Sequence, residues 1–515
     1  MFMAVVLVLG CLTLILFMRP IWNLKLYRLL KLDKIGDISI PGIGDLLKAV
    51  LRTLAVLPWY AKHPRTLDAW IQHNREALAT SWSNDVPQTR STEGRNPEIS
   101  AAYVQLPVRI GGPSAGSLLQ QPTAEDFTRL LAECRCQLQI VGPGGAGKTT
   151  LARQVGRWAL DGSVRAGNGR HKLIPVWIDE DLSDTNSLSK VIRDKLYASL
   201  PNEDLENDFC DALLRKQRLL VIMDRLSERS AETQSYMRNI YRSTRLSALI
   251  VTSRTATPVD GLIPTLVFPQ PLNSASLLFF MTSLLTTLTA NRSESSAGEV
   301  GPLGTMTEQL QLGQRLASLI ELRTPDGKQE IPLLPLQVRL FVEQAIDFLS
   351  IGKTLDDLPA SLPEVYVQYL KQVNPKTSRT SNSLSDEEML KVTKTLGKLA
   401  LQPNYSPKEF TREAAQEALK SRGWASFDRI DPIERLKSNG VLFQKEIGAY
   451  TRFRFALDPI AEFLGAFAYA EECGSNRDSW KRTFENSAAA PGFQIALKLI
   501  RQAYAAHLGW NLDQT

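Results

Sequence analysis

Gln137-Leu138-Gln139-Ile140-Val141-Gly142-Pro143-Gly144-Gly145-Ala146-Gly147-Lys148-Thr149-Thr150 reads as a short apolar strand that runs into a glycine-rich loop and out into a helix. Gly142, Gly147, Lys148 and Thr149 occupy the fixed positions of G-x-x-x-x-G-K-[ST], with Pro143, Gly144, Gly145 and Ala146 between them. Glycines let consecutive backbone N–H groups turn inward with no side chain in the way, so the loop becomes a concave anion site closed by a helix N-terminus. Lys148 is then placed to reach the β and γ phosphates of a nucleotide, and Thr149 to offer its hydroxyl to Mg²⁺. Thr150 continues the helix whose positive dipole end faces the same phosphates.

Around this loop, between Cys136 and Arg254, apolar strands at 138–141, 173–178, 219–223 and 248–252 alternate with helical stretches at 148–160, 187–199 and 232–241. The connections are too long for hairpins, which predicts a parallel sheet with right-handed crossovers and helices on both faces, the α/β class. Ligand chemistry belongs at the carboxyl ends of such strands. Asp224 ends one of them and is the expected carboxylate for Mg²⁺ opposite Thr149. Glu228 follows, either to orient or deprotonate an attacking water or as a solvated loop residue. Arg254 ends the next strand, where its guanidinium either reads the γ phosphate or serves a structural salt bridge.

Residues 1–18 carry no charge and would span about 27 Å as a helix, close to the thickness of a bilayer core, so a transmembrane helix is expected there. Arg19, Lys25, Arg28, Lys31 and Lys34, with Trp22 and Tyr27 among them, make the basic, aromatic flank of a cytoplasmic face. A single-pass protein with its bulk in the cytoplasm follows. Three other readings compete: a cleaved signal peptide, whose charged n-region and small-x-small site are missing, a lipid on Cys11, and a buried helix of a soluble domain. Residues 19–117 read as a basic juxtamembrane region and linker. Positions 46–57 have helical spacing that suits either a bilayer surface or packing on the next domain, and 102–108 form one extended patch.

The sheet domain is expected over 118–270, opening with a short helix at 126–132. A helical lid over 271–373 follows, with helices at 273–288, 306–321 and 335–349 and a Ser/Gly-rich insertion at 291–304. Within 374–472, three helices (386–402, 412–422, 432–437) precede a hairpin around Ile447-Gly448, the pattern of a winged helix or of another small helical module. Residues 473–515 form a helical tail with a helix at 493–508 and no repeat of 20–50 residues.

Taken together, 142–150, 219–228 and 249–254 resemble the NACHT subgroup of the STAND signal-transduction ATPases, a class of P-loop NTPases. Pro335, in Ile331-Pro332-Leu333-Leu334-Pro335, resembles the family's proline near the adenine. Segments 436–442 and 453–466 resemble the hairpin and last helix of the family's winged-helix domain, so the likeness covers about residues 125–472. It implies ATP or ADP with Mg²⁺ as ligands. Arg225 stands where the family usually has a small residue, Ser227 where it has a second acid, and Leu457 where many members carry a histidine that touches the bound diphosphate. Hydrolysis and that locking contact are therefore not carried over.

The formal charge of +6 is small for 515 residues, and there is no aromatic-basic stripe, so no nucleic-acid partner is expected. Five scattered cysteines and four histidines indicate neither a disulfide framework nor a zinc site. The expected function is a membrane-anchored ATP-binding signalling switch with slow or no ATP hydrolysis. Its partners are an adenine nucleotide, a membrane through residues 1–18 and the basic flank, and further copies of itself on activation. The alternatives are an ATP-hydrolysing motor or chaperone and a non-hydrolysing, ATP-stabilised membrane scaffold.

Overall fold

The computed structural model describes residues 64–85, 104–112, 116–132, 136–166, 171–200, 210–257 and 333–374 with short breaks, 264–295, 306–322, 384–424, 431–447 and 450–508. The expected membrane helix, its basic flank and the 46–57 segment lie outside these residues. Among the described residues no helix is long and apolar enough to cross a membrane.

Seven strands form the main sheet: β1 (Val108–Ile110), β2 (Ser117–Leu119), β3 (Cys136–Val141), β4 (Ile174–Ile178), β5 (Leu219–Met223), β6 (Ala248–Ser253) and β7 (Thr265–Pro269). Their order is β2-β1-β7-β3-β6-β5-β4. Strands β7, β3, β6, β5 and β4 run parallel, whereas β1 pairs antiparallel with both β2 and β7. Every residue of β4, β5 and β6 is buried, as continuous apolar runs covered on both faces require. The register places Val141 beside Ser253, Val251 beside Met223 and Met223 beside Ile178. The loop after β3, Asp224 after β5 and Arg254 after β6 therefore emerge along one edge.

Three helices precede or flank the first core strand, α1 (Pro64–His73), α2 (Arg75–Asp85) and α3 (Ala124–Leu130). They are followed by α4 (Lys148–Leu160), α5 (Leu188–Ser199) and α6 (Ala231–Arg238). Helix α4 turns Leu151, Ala152, Val155 and Ala159 onto one face of the sheet, and α5 turns Leu188, Val191, Ile192 and Leu196 onto the other. The region read as a linker contributes α1 and α2, which dock on this domain. Leu67, Trp70, Ile71 and Leu78 join the α5-side core, and Asp68 Oδ1 lies 2.6 Å from the buried Arg218 Nη1. Trp82 meets Trp177 edge-on at 5.8 Å and crosses α4 at Gly156, where a Cβ would stand 2.2 Å from its ring.

The lid contains α7 (Ser274–Ser295), α8 (Met306–Leu322), α9 (Pro335–Ser350) and α10 (Leu362–Val373). Helix α7 continues through Ser295, into the stretch expected to begin an insertion at 291. The last module follows with α11 (Asp386–Ala400), β8 (Phe410–Thr411), α12 (Arg412–Ser421), α13 (Pro432–Ser438), β9 (Leu442–Ile447), β10 (Tyr450–Phe455) and α14 (Asp458–Cys473). Its three strands pair antiparallel in the order β8-β10-β9. Helices α15 (Arg477–Asn486) and α16 (Pro491–Leu508) close the described chain. One continuous apolar core runs from Leu277 and Phe341 in the lid through Tyr366 and Phe463 to Phe493 on α16, with the Tyr366 and Phe463 rings stacked at 4.6 Å. Separating lid from last module would expose that core to water, at about 25 cal/mol per Å² of apolar surface.

Candidate functional site

The loop after β3 ends at Gly147, whose φ of +89° is left-handed and whose added Cβ would meet Leu106 Cδ1 at 2.6 Å. The backbone therefore requires glycine, and a side chain there would also have to displace Leu106. Helix α4 starts at the next residue, and the Lys148 ammonium curls back to donate to the carbonyls of Gly142 (2.8 Å) and Pro143 (2.7 Å). Burial, reinforced by the Arg254 guanidinium, holds that ammonium below the usual lysine range, with Glu228, Asp458 and Asp224 pulling the other way. Ala146 is buried in the loop, while Thr150 is exposed on the first turn of α4.

Thr149 Oγ1 donates to Asp224 Oδ1 at 2.9 Å. The same oxygen accepts from the Thr252 hydroxyl on the neighbouring strand, which fixes the carboxylate in its buried position. Arg225 is left-handed (φ +59°), donates its backbone N–H to Thr252 Oγ1 at 2.8 Å, and sets its Nε 3.2 Å from Asp224 Oδ2. A hydroxyl and a carboxylate so close at the loop edge are hard oxygen donors that suit Mg²⁺. Among the described residues no group of three His, Cys, Asp or Glu is arranged to hold a metal alone. A magnesium ion here would complete its shell with phosphate oxygens and water.

Arg254 faces three carboxylates at once. Its Nε is 3.3 Å from Glu228 Oε1, its Nη2 is 3.0 Å from Asp458 Oδ2, and its Nη1 donates to Glu462 Oε1 at 2.7 Å. Arg454, at the end of β10, reaches Glu228 Oε2 at 2.9 Å and Asp458 Oδ1 at 3.1 Å. The strand ends of the sheet domain and the N-terminus of α14 are thus joined by one ion-pair network. Burial resists charge throughout this network, but Arg454 and Arg254 outweigh it at Asp458 and hold that carboxyl far below the usual aspartate range. At Glu228 and Glu462 burial wins, assisted by the Asp458 charge, and both carboxyls lie above the usual glutamate range. The carboxylates in turn raise Arg254 and Arg454 despite their burial.

Two helix starts cover the loop. Pro335 is the buried first residue of α9, and the next residue, Leu336, donates its N–H to Gly145 O at 3.3 Å. A Cβ added at Gly145 would meet Leu336 Cβ and Pro459 Cγ, each at 3.1 Å, and one at Gly144 would meet Asp458 Cβ at 3.3 Å. The segment through Val104 and Leu106 straps the same region and shares the lid's core. The structure therefore gathers Lys148, Thr149, Asp224, Glu228 and Arg254 at one edge, with Pro335 one residue from the loop contact. Leu106, Leu336, Arg454, Asp458, Pro459 and Glu462 were not foreseen there. Asp458 and Glu462 did leave a trace, two acids one helical turn apart just after a strand.

No family model matches the chain, and no curated protein matches it. Among solved structures the chain is similar to a signal transduction ATPase with numerous domains (STAND) from Pyrococcus horikoshii that carries a tetratricopeptide repeat sensor. The identity is 14% and the TM-score 0.29, with 72% of this chain and 47% of that chain covered. The chain thus spans under half the length of that neighbour.

Proposed function

We propose that this chain is an ATP-binding signalling switch of the NACHT/STAND type, held at a membrane by residues 1–18 and the basic flank, with ATP or ADP and Mg²⁺ as its ligands. The observation that carries this reading is the seating of α14 on the phosphate loop, with Asp458 and Pro459 against Gly144 and Gly145. A nucleotide at the loop must interact with the last module, and any difference between its contacts in two arrangements biases one over the other. Residues 142–150 would cradle the phosphates, Lys148 would neutralise them, and Thr149 with Asp224 would hold the metal. Pro335, Leu336 and Leu106 supply apolar surface beside the loop for the base. The order of helices and hairpin in the last module matches that of a winged helix and supports the NACHT assignment.

Both oxygens of Glu228 are engaged, one by Arg254 and one by Arg454, so in this arrangement it is not free to take a proton from water. That favours slow hydrolysis over a motor cycle. It also gives specific support to the second reading, a scaffold that binds ATP without turning it over. The test is the nucleotide that co-purifies with detergent-extracted chain, and its turnover. Bound nucleotide, slow turnover and loss of nucleotide in Lys148→Ala support the switch. Nucleotide retained by Lys148→Ala contradicts the placement of the site, and fast turnover selects the motor.

A further inference from the structure

Arg225 stands at the one oxygen of Asp224 that the neighbouring hydroxyls leave open: we propose that it is a resident cation that competes with Mg²⁺ for Asp224, so that nucleotide binds here with little dependence on the metal. This inference rests on the nucleotide reading above. Thr149 and Thr252 each donate a hydroxyl proton to Asp224 Oδ1, which fills the two lone pairs of that oxygen. Thr149 can keep this bond and still offer lone pairs of its own to a cation, so the carboxylate oxygen left for the metal is Oδ2. Arg225 Nε lies 3.2 Å from it, beside an Asp224 side chain that is 2% exposed. Nε is buried with no aligned hydrogen-bond partner, so the contact is one of charge, which a divalent ion at the same oxygen opposes directly.

The backbone fixes this placement. Arg225 is left-handed, a conformation that among the described residues it shares, outside glycine, only with Tyr405. Its N–H donates to Thr252 Oγ1 at 2.8 Å, and its carbonyl accepts from the Glu228 N–H at 2.9 Å across the 3₁₀ turn Leu226–Glu228. Glycine would adopt this conformation without strain, so a long cationic side chain stands here against the local preference. A small residue would leave Asp224 Oδ2 to water and to a metal, whose charge would neutralise carboxylate and phosphates together.

Two further arginines add to the bias. Arg229 Nε donates to the Asp224 backbone carbonyl at 3.3 Å, and the Arg153 guanidinium lies over the Trp177 ring, 6.0 Å from its centroid. Burial holds both below the usual arginine range, with the Arg225 charge adding to it and the Asp224 charge opposing it. Three guanidinia therefore surround one buried carboxylate, a field that disfavours a further cation and favours the anionic nucleotide by itself.

The experiment measures the ADP affinity of the full-length, detergent-solubilised, nucleotide-stripped chain in Mg²⁺ and in EDTA, and the binding of Mn²⁺ to the ADP-loaded chain by its paramagnetic resonance signal. In the unmodified chain the two ADP affinities should agree within about fivefold, short of the roughly 10–100-fold effect of a residue that supports a metal ligand. Arg225→Asn, which tolerates the left-handed backbone, and Arg225→Gly should each raise the preference for Mg²⁺ about tenfold and tighten Mn²⁺ by a similar factor. Arg225→Lys keeps the charge and should behave as the unmodified chain does. Arg157→Gln, which removes an exposed cation one turn beyond Arg153 on α4, should leave the preference unchanged. The comparison of Mg²⁺ with EDTA in the unmodified chain stands even if the variants fail to fold. A larger metal preference there, a preference and Mn²⁺ affinity that do not move in Arg225→Asn and Arg225→Gly, or an Arg225→Lys that behaves as Arg225→Asn does, overturns the proposal. Failure of the unmodified chain to bind ADP in either condition overturns the reading on which it rests.

Discussion

Replacing Arg254 by methionine removes the charge while keeping most of the aliphatic volume, so its effect isolates the ion-pair network. Deleting one partner of a buried pair costs about 3–5 kcal/mol when the other charge is left uncompensated. Here the loss is uneven. Glu228 and Asp458 keep Arg454 at 2.9 and 3.1 Å, whereas Glu462, whose side chain is 5% exposed, loses the guanidinium that held it at 2.7 Å. Glu462 already lies above the usual glutamate range, and uptake of a proton caps the penalty at about 1.36 kcal/mol per unit between its unfolded value of 4.5 and the assay pH. A destabilisation of about 2–3 kcal/mol follows, below the full value for an uncompensated charge. Urea unfolding of Arg254→Met, Glu462→Gln and the double variant forms the thermodynamic cycle, and the double variant should recover at least half of the single loss. A loss under about 0.5 kcal/mol, the range of ordinary surface changes, or a double variant no more stable than Arg254→Met, would refute the network.

Gly156→Ala sets helix propensity against packing: alanine gains about 1 kcal/mol over glycine within a free helix, but its Cβ would stand 2.2 Å from the Trp82 ring. Net destabilisation of about 1–3 kcal/mol with red-shifted tryptophan emission is expected, and a stabilised variant would show that α2 does not dock there. Glu462→Gln should change the pH profile with a definite sign. A carboxyl raised above its unfolded value of 4.5 contributes stability below that value and loses it as pH rises through the folded value, so melting curves should favour the variant increasingly toward neutrality. A pH-independent difference would contradict the upward shift that burial gives Glu462. Asp224→Asn should weaken nucleotide binding in Mg²⁺ by more than in chelator, and equal weakening would remove Asp224 from the metal shell.

The glycine-rich loop at 142–149 was legible as a strand–turn–helix because those parts are contiguous and its glycines answer to local backbone requirements, as the left-handed Gly147 illustrates. Asp224 and Arg254 were legible because apolar strands of a parallel sheet deliver their following residues to one edge. Strands β1, β2 and β7, which extend the sheet on one side of β3, were harder to see, being short or only partly apolar, and the pairing of β1 with β7 joins residues near 108 to residues near 268. Docking of α1 and α2 was hidden by the polar character of the region, although Leu67, Trp70, Ile71, Asn74, Leu78 and Trp82 keep a helical period and are all buried. Spacing placed Asp458 and Glu462 on one helix face but could not say what they meet, since Arg254 lies more than two hundred residues away from both. Charged side chains identify a contact only when the fold has chosen their neighbours. Asp458, the residue after Leu457, brings the N-terminus of α14 into the network.

The proposed switch requires above all that a nucleotide occupy the loop at 142–150 beneath α14. Equilibrium dialysis of Mg·ATP and Mg·ADP against nucleotide-stripped, detergent-solubilised full-length chain, beside the Lys148→Ala variant, tests this directly. One saturable site per chain, lost on substitution of Lys148, is the predicted result; absence of saturable binding, or binding unchanged in Lys148→Ala, would contradict it.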